Sequence, residues 1–165
     1  MPVPDRFSTP RLHARRATAD DIEYVYEVDS DPQMFPWLSG TSSTRSESEA
    51  RLRRWLDEER RSGFGFWLFF DGDTVIGHGG LFTSAREPGS FELGYAIVPK
   101  AWGSGYATEM ASALMALAKA AHLENVIAVT RRTNERSQRV LEKIGFRYDR
   151  EVVADGGSYL RYVRV

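Results

Sequence analysis

The chain has no cysteine, which excludes a disulfide framework, a thiolate metal site and a cysteine nucleophile together. It also has little excess charge of either sign: 22 Lys and Arg stand against 23 Asp and Glu, a net charge of −1. No global positive field draws it to nucleic acid or anionic lipid, so any anion site must be local. No window approaches the roughly 18 apolar residues that suggest a membrane span, and residues 1–11 lack an apolar core of signal-peptide length. A cytoplasmic protein is the expectation. Lysine is scarce, at positions 100, 119 and 143 only, so the basic side chains are nearly all arginine. That bias fits a GC-rich bacterial genome and carries no physical argument.

What is present is the composition of a globular protein. Hydrophobic residues make up 42% of 165 positions, enough for one well-filled core, and the expectation is a single domain over residues 1–165. Thr18 to Asp21 offers a capping residue and acidic groups at the start of a helix carrying Ile22, Val25 and Tyr26, which Asp31-Pro32 stops. Phe35-Pro36-Trp37-Leu38-Ser39-Gly40 reads as an ordered apolar loop. From Ser46 to Arg61 the apolar stripe is narrow (Ala50, Leu52, Trp55, Leu56), and Glu47–Arg51, Glu49–Arg53 and Asp57–Arg61 are acid-to-base pairs four apart. A surface helix is predicted, and the acids among its arginines argue against nucleic acid.

Aromatic and β-branched runs at 64–70 and 74–82, separated by Asp71-Gly72-Asp73, and a third at 91–98, predict an antiparallel meander. Tyr106 to Ala121 carries apolar residues at helical spacing, the signature of a buried helix. A short strand at 125–130, a helix at 134–144 closed by Gly145, and a hairpin of 146–153 with 158–165 around Asp155-Gly156-Gly157 complete the chain. A mixed α/β sheet follows.

Chemistry concentrates at Trp102-Gly103-Ser104-Gly105-Tyr106-Ala107-Thr108, between a strand and the buried helix. Successive backbone N–H groups and the helix N-terminus can converge there on an anion, and glycine permits close approach or a positive φ. The Walker A spacing is absent, and the third glycine of the dinucleotide fingerprint is replaced by Thr108. Taken alone, the turn reads equally well as a tight bend without a ligand. Its surroundings add to it. Phe91, Leu93, Tyr95 and Ile97 share one face of their strand, and Glu92, Gly94, Ala96 and Val98 the other. A face free of bulk, carrying one carboxylate, suggests a slot for an extended ligand. On the later helix Asn134, Ser137, Leu141 and Ile144 share a side, although Asn134 also reads as an N-cap and Ser137 as a small packing residue.

Five marks in this order, Thr9-Pro10-Arg11-Leu12, Ser30-Asp31-Pro32, Phe91-Glu92-Leu93-Gly94-Tyr95, Trp102 to Glu109, and Asn134-x-x-Ser137-x-x-x-Leu141-Glu142-Lys143-Ile144-Gly145-Phe146, cover almost the whole chain. The sequence resembles the GNAT superfamily of acetyl-CoA-dependent N-acetyltransferases, in the branch of the RimJ and RimL type. It departs at Trp102, where the superfamily usually has Gln or Arg. The resemblance implies a mixed, mostly antiparallel central sheet flanked by helices and splayed at the cofactor site. Pantetheine would pair with the backbone of Ile97 and Val98 as an added strand. Gly103, Ser104, Gly105, Tyr106, Ala107 and Thr108 would cradle the diphosphate, Asn134 would bond the pantetheine arm, and Arg131, Arg132 or Arg136 would meet the adenosine phosphate, the other reading of these arginines being solvated surface charge. A backbone N–H near Val98 would polarise the thioester oxygen, and Ser137 would protonate the departing thiolate. No metal is implied, and a homodimer is the family-level expectation.

Acetyl transfer needs a neutral amine, whereas a lysine amine (pKa about 10.4) and an α-amino group (about 7.7–8.0) are largely protonated near neutrality. Glu92 is the expected base, directly or through water. The other reading is that it orients the substrate or forms an ion pair. The expected acceptor is the N-terminal α-amine of a protein or peptide. A small amine, or a non-catalytic acyl-CoA sensor, are the alternatives. Phe35, Trp37, Phe64, Trp67 and Tyr159 read as acceptor-site lining or as core. Tyr159, Tyr162 and His78 read as substrate-side groups or as sheet residues with satisfied polar tips.

Overall fold

Eight strands form one sheet in the order β1-β2-β3-β4-β5-β6-β8-β7 in a computed structural model that describes residues 2–34, 36–37, 44–154 and 156–164. The expected meander is its centre. β3 (Gly65–Asp71), β4 (Thr74–Thr83) and β5 (Phe91–Ile97) pair antiparallel. Two short strands extend this edge, β1 (Arg6–Ser8) and β2 (His13–Arg16). Their three and four residues of mixed polarity carry too little alternation to be read from sequence. β6 (Val126–Arg131) lies on the far side of β5, followed by β8 (Gly157–Arg164) and β7 (Phe146–Ala154), the expected terminal hairpin.

The parallel β5–β6 pairing covers only Phe91 with Val126 and Glu92 with Ile127. Beyond Glu92 the two strands part, and this gap positions the site.

The helices cover both faces. α3 (Tyr106–Ala120) buries Met110, Ala111, Leu114, Met115 and Ala118, the stripe its spacing predicts. A Cβ on Gly79 of β4 would meet Leu114 at 3.0 Å, so the odd positions of β4 face α3. α1 (Ile22–Asp29) and α2 (Arg45–Ser62) cover the opposite face. α4 (Glu135–Lys143) follows β6 and packs beside α3 and β7.

α2 starts in a capping box between Thr44 and Glu47 and ends at Gly63 in the left-handed region. It is less of a surface helix than its pattern suggests, because Ser48 and Glu58 are buried together with Leu52 and Trp55. Its predicted charge pairs also rearrange: Arg51 turns inward to Asp29, Arg60 pairs with Asp57, and Arg61 with Glu58. A buried carboxylate that needs a partner outcompetes an exposed pair worth a few tenths of a kcal/mol. Residues 35, 38–43 and 155, and with them part of the predicted apolar loop and of the last turn, lie outside the described residues.

Candidate active site

One cavity of about 930 Å³ runs through the gap between β5 and β6 and under α2. Tyr95, Ala128, Asn134 and Ser137 line it on one side of the sheet, and Trp55, Phe66, His78, Phe82, Arg86 and Glu92 on the other. Of the expected lining residues, Trp37 and Tyr159 are part of it. Trp67 and Phe64 belong to the core: Trp67 is fully buried and donates its indole N–H to the carbonyl of Pro4 at 3.1 Å, and Phe64 packs edge-on to Phe91. Phe35 is outside the described residues.

The glycine turn lies outside the cavity, exposed at the far end of β5. Gly103 (φ 76°) and Gly105 (φ 81°) both adopt the left-handed region, which an L side chain reaches only at a cost of about 1–2 kcal/mol. Gly105 is the N-cap of α3, and the first intrahelical bond of the turn runs from Glu109 N–H to Gly105 C=O. The amides of Tyr106, Ala107 and Thr108 thus belong to the first turn, where a helix leaves its N–H groups without intrahelical acceptors. Arg11 donates to the carbonyl of Ser104 at 2.7 Å and, through Nε, to Glu109 at 2.6 Å. Thr9 donates to the same carboxylate at 2.5 Å. The Thr9-Pro10-Arg11-Leu12 segment is therefore a clamp on the turn. Burial would raise the Glu109 carboxyl, but the bonds from Thr9 and Arg11 outweigh it and hold the group below its ordinary value.

The end of β5 departs from expectation at Val98. Its N–H donates to Ile76 C=O at 2.9 Å and its carbonyl accepts from Ala101, so Val98 has no free N–H for a pairing ligand or for a thioester oxygen. The Ile97 carbonyl is taken as well, by the Trp102 indole N–H at 2.9 Å. Because Val98 N–H points to β4, the two-residue alternation turns the backbone groups of Tyr95 and Ile97 the other way, into the gap. Trp102 thus replaces a charged contact with an anchor for the strand end, and Arg136 stacks on its ring at 4.6 Å.

Around the gap, Asn134 caps α4 by accepting from Ser137 N–H at 3.2 Å and also lines the cavity. The Ser137 hydroxyl lies 2.9 Å from the Tyr95 hydroxyl. Burial pushes the Tyr95 phenol up to about 12, against the smaller opposing effect of the Ser137 bond. It therefore stays protonated. Of the three arginines expected at an adenosine phosphate, Arg131 instead faces the cavity over the Tyr159 ring at 5.3 Å, and Arg132 pairs with Glu151 at 3.3 Å. Arg136 remains near the turn.

On the opposite face Glu92 is 4% exposed, accepts from Ser84 Oγ at 2.6 Å and pairs with Arg86 at 3.4 Å. Opposite Ala96 on β4 sits His78, 3% exposed, its Nε2 2.8 Å from Asp29 Oδ1. Asp29 is fully buried and also takes Ser48 and Arg51. Burial alone would raise its carboxyl, but His78 and Arg51 hold it below the usual carboxylate range. His78 Nδ1 is buried without a hydrogen-bond partner among the described residues, a cost of about 1–3 kcal/mol. The polar tip of this sheet residue is thus satisfied at Nε2 and not at Nδ1.

Tyr95, Ser84, Arg86 and Asp29 were not singled out from sequence as parts of the site. Tyr95 stands on the packing face of its strand, and only the placement of α4 brings Ser137 to it. No group of side chains suited to a metal occurs among the described residues.

A splayed mixed sheet with a glycine turn at a helix N-terminus and a cavity of about 930 Å³ through the opened sheet frames the site. Residues 11–147 match the Acetyltransferase (GNAT) domain, and the chain belongs to that family and is an N-acetyltransferase. The N-acetyltransferase YnaD of Bacillus subtilis strain 168 is 28% identical over 142 residues, covering 85% of this chain and 81% of YnaD. A GNAT-family acetyltransferase from Bordetella pertussis superposes with a TM-score of 0.85 at 23% identity, covering 98% of this chain and 100% of that one. The ribosomal-protein-S5-alanine acetyltransferase from Vibrio fischeri superposes with a TM-score of 0.79 at 18% identity, covering 97% and 96%.

Proposed function

We propose that the protein transfers the acetyl group of acetyl-CoA to the N-terminal α-amine of a protein or peptide, by direct attack within one ternary complex. The carrying observation is the single cavity that joins the gap beside Asn134 and Ser137 to the acceptor-side face under α2. Acetyl-CoA would lay its diphosphate on residues 103–108 and its pantetheine along Tyr95 and Ile97, with its thioester deep in the gap. With no cysteine in the chain, transfer needs no thiol intermediate.

The amine nitrogen attacks the thioester carbon, the C–N bond forms, the C–S bond breaks, and coenzyme A leaves as a thiolate that must gain a proton. Ser137, hydrogen-bonded to the Tyr95 hydroxyl, is placed to pass on to the thiolate the proton that the newly acylated nitrogen sheds, so that the serine ends as it began. On the acceptor side Glu92 is already held by Ser84 and Arg86, which suits a group that orients an incoming ammonium. An α-amine fits better than a lysine because its ordinary pKa, about 7.7–8.0, is more than two units lower, so a weak base suffices. The resemblance to RimJ and RimL type enzymes supports the same choice, as does the V. fischeri structure, whose name specifies a ribosomal-protein alanine.

A thiol-release assay with free-N-terminus peptides, N-blocked lysine peptides and small amines tests this reading. Turnover is expected on the free N-termini above all. Turnover confined to small amines reassigns the acceptor, and acetyl-CoA binding without turnover on any amine removes the catalytic reading.

A further inference from the structure

We infer that His78 is the general base that takes the proton of the acceptor amine, held for that task by the buried Asp29–Arg51 pair; the inference rests on the acetyl-transfer reading of the cavity. Four observations converge on it. His78 lines the cavity. The β4–β5 register sets it opposite Ala96, on the open small-residue face that also carries Glu92. Its Nε2 is committed to Asp29 at 2.8 Å, a carboxylate with no solvent exposure. Its Nδ1 is buried and has no hydrogen-bond partner among the described residues.

The tautomer follows from these contacts. An ionised carboxylate is an acceptor only, so Nε2 carries the hydrogen and donates it. Nδ1 then holds the lone pair. A histidine fixed by a buried carboxylate at one nitrogen, with the other left without a partner, is the arrangement in which proton uptake is stabilised as it happens. Glu92 is less suited, because Ser84 and Arg86 already engage its oxygens.

The surroundings of His78 contain few competing charges. α1 presents Asp29, and α2 presents Arg51 behind it and the Trp55 ring at 4.6 Å. β3 presents Phe66 at 6.1 Å, and β5 presents Ala96. Glu92 with Arg86 lies four residues back along β5. Nδ1 is buried beneath this packing, so the proton travels from the ammonium to it across a water and not by direct contact. The neutral amine then attacks. On collapse, the second nitrogen proton passes to the thiolate side, and His78 returns its own proton to solvent. Acetyl-CoA and an ammonium become an amide, coenzyme A thiol and one proton.

The test compares kcat/KM against pH for wild type, His78→Gln, Glu92→Gln and Asp29→Asn, with thermal melts and acetyl-CoA affinity measured on each. His78→Gln is expected to lose about 10²-fold or more in kcat/KM, to lose the acidic limb and to keep its acetyl-CoA affinity. The loss should shrink on an acceptor amine of low pKa, which needs no base. Asp29→Asn, which no longer stabilises the imidazolium, should move the acidic limb to lower pH. Glu92→Gln should keep the limb. If His78→Gln folds and retains the limb, or its loss is the same on low-pKa amines, His78 is a packing residue and the inference falls alone. A wild type that acetylates no amine overturns it together with the function proposed above.

Discussion

A phenol and a hydroxyl 2.9 Å apart link the two sides of the gap, and Tyr95 gains meaning from that contact. In the strand pattern it belongs with Phe91, Leu93 and Ile97 as a packing residue, and so it packs. Its hydroxyl, however, reaches past the hydrophobic layer to Ser137. Because burial pushes its pKa up to about 12, Tyr95 works as a fixed donor and not as a titrating acid. Tyr95→Phe should therefore lower kcat by about tenfold, the weight of a hydrogen bond of about 1.4 kcal/mol, without adding or removing a limb in the pH profile. An altered alkaline limb below about pH 10 would contradict this. His78 shows what residue types hide at the same scale. Its partner Asp29 lies 49 residues away on another helix, so no local spacing could join them. Glu92 was legible because alternation alone sets its face, whereas its partners Ser84 and Arg86 come from the connection that folds back from β4.

Among the elements, the meander, the buried helix α3 and the closing hairpin were legible because their patterns are long and agree with their turns. β1 and β2 were not, being short and mixed. α2 misled in a different way: it reads as a solvated helix, yet it roofs the cavity and buries the polar Ser48 and Glu58, whose partners Asp29 and Thr83 stand on other elements. The glycine turn was legible in outline, but its clamp was not, since Thr9 and Arg11 meet Glu109 only through the fold. That clamp ties the N-terminal segment to the first turn of α3. Glu109→Ala should remove charge-assisted bonds worth about 1.5–3 kcal/mol. It should lower the melting temperature and raise the KM for acetyl-CoA while leaving kcat within about twofold. A variant with unchanged KM would detach the clamp from cofactor binding.

At the scale of the whole molecule, the separation of β5 from β6 after Glu92 makes one cavity out of what would otherwise be two faces of a sheet. The face with Tyr95, Ser137 and Asn134, proposed for the cofactor, and the face with Glu92 and His78, proposed for the acceptor, meet in this gap. The fold class could be read from the order of elements. The position of the opening depends on where a parallel pair stops pairing, and that is set by packing on both faces. Both substrates must then be bound together for the amine to reach the thioester. Initial rates measured over a grid of acetyl-CoA and acceptor-peptide concentrations test this most directly. The account predicts intersecting double-reciprocal lines, the pattern of a ternary complex. Parallel lines, with an acetylated protein recovered in the absence of acceptor, would contradict it.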